Sequence, residues 1–159
     1  MAHSRSSNQM VLVDGDACPV KSEIAEAART AGVPVIMVSS YNHELQGEEG
    51  VEIVRVDSGD QSADLYIANR MKPGDLVLTN DYGLAALALG KKCLCLSFRG
   101  IVYGDDNMDM MLEGRHARAK ERRSGRYGKG PKPLTAGEKL FFQHKLTNLL
   151  SRLQENVQP

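Results

Sequence analysis

The chain has 159 residues, 42% of them hydrophobic, and its 20 Lys+Arg are balanced by 20 Asp+Glu. That length suffices for one domain burying roughly 68–70% of its unfolded surface, and the balance excludes any inference about partners from net charge alone. No apolar run reaches the length of a membrane span.

Met1 to Gln9 lack the apolar core of a secretory signal and read as a flexible tail ahead of a domain over 10–155. The three cysteines, Cys18, Cys93 and Cys95, have no framework spacing, which fits buried, reduced thiols in a cytoplasmic protein. Met10-Val11-Leu12-Val13 is a short apolar, β-branched run and reads as a buried strand. Asp14-Gly15-Asp16 follows at once, and Pro19 suits the first turn of the next helix. Lys21 to Ala31 is rich in helix formers and stops at Gly32. Val33 to Val38 and Val51 to Val56 are the second and third strands, separated by a polar surface loop from Ser39 to Gly50. The third strand ends at Asp57-Ser58-Gly59-Asp60.

A helix from about Ser62 to Met71, closed by Lys72-Pro73-Gly74, leads into a fourth strand, Asp75 to Thr79, which ends at Asn80-Asp81. Tyr82 to Leu89 is helical and Lys92 to Leu96 is the fifth strand. Strands alternating with helices imply right-handed crossovers and a mainly parallel sheet covered on both faces. The expected fold is a single three-layer α/β domain with about five strands.

Beyond Ser97 the character changes. Ser97 to Asn107 is a glycine-punctuated loop with Arg99 and an Asp105-Asp106 pair, and 109–118 reads as a short helix. The run from Arg115 to Lys132 carries Arg115, Arg118, Lys120, Arg122, Arg123, Arg126, Lys129 and Lys132 against one acid, Glu121. Interleaved with Tyr127 and glycines, it suits electrostatic contact with a phosphate backbone; the plainer reading is a solvated surface segment. Thr135-Ala136-Gly137-Glu138 matches a capping box. It opens a last helix, about 136–155, with Leu140, Phe141, Leu146, Leu149, Leu150 and Leu153 on its apolar side. Those positions leave room for a second copy of the chain.

The chemistry lies in the carboxylates. Asp14 and Asp16 follow the first strand, Asp57 and Asp60 the third and Asp81 the fourth, while Asp64 falls on the first turn of a helix. In a parallel sheet all these ends open on one edge. Clustered carboxylates repel one another, and a divalent cation is the usual compensation. Oxygen donors without a thiolate cluster favour Mg²⁺ or Mn²⁺. Such an ion activates water and stabilises an in-line phosphoryl displacement, with no histidine base required. Asp14, Asp16, Asp64 and Asp81 form the expected catalytic and metal-binding set, with Asp60 as either cap or ligand and Thr79 and Asn80 as supporting hydrogen-bond partners. Asp57 and Asp75 read as caps or turn residues.

The segments Asp14-Gly15-Asp16-Ala17-Cys18-Pro19, Gly59-Asp60-Gln61-Ser62-Ala63-Asp64 and Gly74 to Ala85 resemble the YaiI/YqxD family of bacterial proteins, as do Arg99-Gly100 and the tail from Gly125 to Leu134. The resemblance spans nearly everything from Met10 to Leu150. It implies a PIN-like nuclease fold, an acidic cluster of Asp14, Asp16, Asp64 and Asp81 with Asp60 as a fifth member, Mg²⁺ or Mn²⁺ as cofactor, and RNA as substrate. Arg99 and the basic run would then hold the polyanion. Two positions depart from the family pattern: Leu65 stands where a second acid is common, and Gln61-Ser62 replace Ala-Asp.

Two other readings compete. Asp-x-Asp after a first strand also serves haloacid-dehalogenase-like phosphatases, which need a catalytic lysine; Lys72 is the candidate, in a Pro-Gly turn. A non-catalytic RNA-binding or regulatory module on the same fold is the other.

Overall fold

The computed structural model describes residues 9–40, 49–57, 63–108 and 133–157. Five strands, β1 (Val11–Asp14), β2 (Val35–Ser40), β3 (Val51–Val56), β4 (Leu76–Leu78) and β5 (Leu94–Leu96), form one sheet in the order β3-β2-β1-β4-β5. Every neighbouring pair is parallel. The connecting helices are α1 (Lys21–Ala31), α2 (Ala63–Arg70) and α3 (Tyr82–Gly90), and α4 (Ala136–Val157) closes the described chain.

Val11, Leu12 and Val13 are all fully buried, because the sheet is covered on both faces and a strand at its centre has no wet side. Their side chains still alternate. Val11 and Val13 pack with Ile24 of α1 and Phe142, Leu146 and Leu150 of α4, whereas Leu12 packs with Ile67 of α2 and Leu84 and Ala88 of α3. The architecture is therefore a single three-layer α/β domain, as the alternation of strands and helices predicts. Among the described residues no helix is long and apolar enough to cross a membrane.

The strand order contains one reversal. The chain lays β2 and β3 to one side of β1, then returns to place β4 and β5 on the other. Adjacent crossovers leave the carboxyl ends of β1 and β4 in opposite directions, and a crevice opens between them.

Local signals hold well where they are chemical. α1 ends at Gly32, whose φ of 73° lets its N–H reach the carbonyls of Ala28 and Arg29, while Val33 N–H returns to Ala28 O at 3.1 Å. The capping box is present: Thr135 N–H donates to Glu138 Oε1 at 2.9 Å and Glu138 N–H to Thr135 Oγ1 at 3.1 Å. Cys18, Cys93 and Cys95 are free and buried.

Three expectations need correction. Pro19 lies outside α1, which starts at Lys21 after a 3-10 turn over Gly15–Ala17. β5 starts at Leu94 rather than Lys92, because Lys92 has a φ of 66° in the tight turn after α3, where Cys93 N–H bonds back to Ala88 O. On α4, Leu140 and Phe141 face solvent and Phe142 takes the core position; the buried series Phe142, Leu146, Leu149, Leu150 and Leu153 has the spacing of one helix face. The helix expected over 109–118 lies outside the described residues.

Candidate functional site

Asp14 is the last residue of β1 and stands at the crevice. Its side chain makes no capping bond to the 3-10 turn that follows, and α1 has Val20 at its N-cap with no side-chain bond either. Helix capping therefore explains neither Asp14 nor Asp16. Instead Thr79, fully buried at the end of β4, donates its hydroxyl to Asp14 Oδ2 at 3.3 Å. The same hydroxyl oxygen accepts the Asp81 N–H at 3.0 Å, so one threonine fixes an acid on each side of the crevice. Tyr103 holds that threonine's backbone, its buried hydroxyl donating to Thr79 O at 3.1 Å.

Asp81 is the N-cap of α3: its Oδ1 accepts from Gly83 N–H at 2.8 Å and Leu84 N–H at 3.4 Å. Asp16 reaches the other way, where its Oδ1 accepts from Ser39 Oγ at 2.8 Å and Ser40 N–H at 2.9 Å. The polar composition of Ser39 to Gly50 predicts a surface loop, yet Ser39 and Ser40 are both buried residues at the end of β2. Asp64 lies on the first turn of α2 and accepts the Leu65 N–H at 3.0 Å.

The charges converge on Asp14. Burial lifts its carboxyl from 3.8 to about 6, against the opposing Thr79 hydrogen bond, and the charges of Asp16, Asp81 and Asp64 add to the rise. Four acids from β1, the turn behind it, α2 and α3 thus share one electrostatic neighbourhood. Asp64 and Asp81 also line a groove of about 440 Å³ between α2 and α3, with Leu65, Ala68, Leu84 and Leu87 as its apolar part.

The remaining expected residues fall elsewhere. Asp75 is a turn lock at the amino edge of the sheet, accepting from Met10 N–H at 3.0 Å and Lys72 N–H at 2.9 Å, and burial raises its pKa. Asn80 accepts the Phe98 N–H at 2.9 Å and so ties the loop after β5 to the residue beside Asp81, a bond to backbone rather than to an acid. Arg99 pairs with Glu138, Nη1 to Oε2 at 3.4 Å. Asp57, Asp105 and Asp106 are exposed. Asp60 and the basic residues Arg115, Arg118, Arg122, Arg123, Arg126, Lys129 and Lys132 lie outside the described residues.

The donors at this edge are carboxylates and a hydroxyl, all hard oxygens, which suits Mg²⁺ or Mn²⁺. Among the described residues no three acidic, imidazole or thiol side chains are gathered into one coordination shell.

An all-parallel sheet with acids at its point of strand reversal defines a three-layer α/β protein with an acidic site at the carboxyl edge. The chain belongs to the family described as "Uncharacterized BCR, YaiI/YqxD family", whose model matches residues 12–152. It is 41% identical over 140 residues to the UPF0178 protein Lmo1456 of Listeria monocytogenes serovar 1/2a, covering 88% of this chain and 94% of that one. It is 43% identical over 143 residues to the UPF0178 protein BCB4264_A3061 of Bacillus cereus, covering 89% and 98%. Among solved structures, Rae1 (YacP) from Bacillus subtilis, a W164L mutant, aligns with a TM-score of 0.45 and 17% identity over 91% of this chain and 99% of that one. That likeness is too loose to transfer function.

Proposed function

We propose that this protein is a divalent-cation-dependent phosphodiester hydrolase acting on RNA. The observation that carries the reading is the convergence of Asp16, Asp64 and Asp81 on Asp14 at the crevice where the strand order reverses. A fold that only needed caps would not leave Asp14 half-buried within reach of three other acids, whose charges raise the cost of ionising it.

Asp14 and Asp81 are the residues we assign to hold Mg²⁺ or Mn²⁺, with Asp16 and Asp64 beside them. When bound, the ion supplies a Lewis acid for the phosphoryl oxygens and lowers the pKa of a bound water. The chain's own residues set the stage. Thr79 keeps Asp14 and Asp81 in register across the crevice, and Ser39 and Ser40 orient Asp16. Arg99 lies on the same edge, and the composition of the run from Arg115 to Lys132, eight cations against one acid, suits a polyanion.

The phosphatase alternative loses its lysine. Lys72 lies in the turn that leads into β4, at the amino edge, whereas Asp14 lies at the carboxyl edge. The test of the hydrolase reading is cleavage of labelled single-stranded RNA in Mg²⁺ and in Mn²⁺. Wild type is expected to cleave, and Asp14→Asn to lose activity by about a hundredfold or more. RNA bound but left intact in both ions would replace the hydrolase with the non-catalytic binding module.

A further inference from the structure

α4 leaves two large apolar side chains in water: Leu140 is 67% and Phe141 52% exposed, while Phe142 beside them is fully buried. Ile101 and Val102, in the loop after β5, are exposed as well. The Phe141 ring lies against Gly100 of that loop, so closely that a Cβ there would stand 2.7 Å from Cδ2 and 2.8 Å from Cε2. Gly100 also has a φ of 87°, which a side chain resists. Single exposed leucines are ordinary, but an exposed ring seated on Gly100, with exposed Leu140 before it on α4 and exposed Ile101 and Val102 following Gly100 in the loop, marks a contact surface.

Cations bracket the ring. Lys145, one turn further along α4, holds its ammonium 5.4 Å from the Phe141 centroid. Arg99 stands at the other end, paired with Glu138, one turn before Phe141. Glu138 is already matched, with Oε1 in the capping box and Oε2 on Arg99. The surface also adjoins the acidic edge: the Phe98 N–H is bonded to Asn80, next in sequence to Asp81, and Arg99 follows Phe98.

We propose that this surface is a platform for single-stranded RNA, with an unpaired base stacked on Phe141 and the flanking phosphates met by Arg99 and Lys145. The identity of the polymer rests on the function proposed above. An exposed aromatic ring between cations is what sequence-tolerant single-strand binding uses, because every base has a π-face and every linkage a charge. In a duplex the base faces are stacked on one another and closed to the ring. A lysine over an exposed ring is held weakly, so Lys145 exchanges the ring for a phosphate at little cost. A second copy of this chain is the less fitting occupant, since charged residues are depleted at the centre of protein–protein interfaces.

The experiment is binding of a short labelled oligouridylate to the full chain in EDTA, which separates binding from any cation-dependent hydrolysis. Phe141→Ala is expected to weaken binding about tenfold, Phe141→Trp to retain it, and Lys145→Ala to lower the salt dependence. An RNA duplex is expected to respond little to Phe141→Ala. Far-ultraviolet melting of each variant verifies that it is folded. Wild-type affinity in folded Phe141→Ala overturns the platform, as does failure of wild type to bind the oligomer. A dimer that Phe141→Ala splits with RNA affinity unchanged overturns it in favour of self-association. Asp14→Asn is expected to keep single-strand binding in EDTA; absence of cleavage by wild type with that binding intact removes the hydrolase reading and leaves the platform standing.

Discussion

Burial, reinforced by the charges of Asp16, Asp81 and Asp64, favours the protonated form of Asp14 in the folded chain and lifts its pKa from 3.8 to about 6. The consequence for stability has a definite sign. The folded state holds this proton more tightly than the unfolded one, so the contribution of Asp14 is most favourable below about pH 4 and is lost as pH rises through 6. Asp14→Asn removes the charged form altogether. The variant is expected to be more stable than wild type at pH 7.5 in EDTA, by about 1–2 kcal/mol after allowance for solvent screening of a partly exposed group, and the difference should shrink towards zero near pH 4. Urea unfolding at both pH values measures it, and a variant less stable than wild type at pH 7.5 would contradict the electrostatic account. The acids themselves are legible in the chain, because strands followed at once by Asp are a local pattern. Ser39 and Ser40 are not. Their role follows from the β1–β2 register, which sets Asp14 opposite Val38 and so carries Asp16 towards Ser40, and register is a property of two distant segments.

At the scale of elements, boundaries set by backbone chemistry are those the chain announces. α1 matches its expected span to the residue because Gly32 supplies the left-handed stop, and β3 matches because polar residues bound its apolar run in sequence on both sides. β5 does not, since nothing local reveals the positive φ of Lys92. The face of α4 departs from the expected one at its first turn for a related reason. Adjacent Leu140, Phe141 and Phe142 are all apolar, and only the phase of the later leucines shows that Phe142 belongs inside. The capping box sets where that helix begins. Thr135→Ala removes the acceptor for Glu138 N–H, and is expected to destabilise the protein by about 1 kcal/mol, read as a lower urea midpoint with an unchanged slope. An unchanged midpoint would mean that packing of Phe142 and Leu146 alone positions the start of α4.

At the scale of the whole molecule, the strand order, more than any single residue, assembles the acidic edge. β1 and β4 are neighbours in the sheet but more than sixty residues apart in the chain, so the cation proposed to lie between Asp14 and Asp81 would bind the folded protein and have no matching site in the unfolded one. Mass action then requires stabilisation. At a free ion concentration about a hundred times Kd the gain is about 2.7 kcal/mol, or an increase in Tm of roughly 5–10 °C for a domain of this size. Protons compete for the same carboxylate, and since the Asp14 pKa is about 6, the increase with Mn²⁺ or Mg²⁺ is expected to be large at pH 7.5 and much smaller at pH 5. Asp14→Asn is expected to show little increase at either pH. Thermal melts of both proteins with and without the ion distinguish the alternatives: an increase that persists in Asp14→Asn places the cation elsewhere on the chain, and no increase in wild type at pH 7.5 means that the four acids hold no ion in the absence of substrate phosphates.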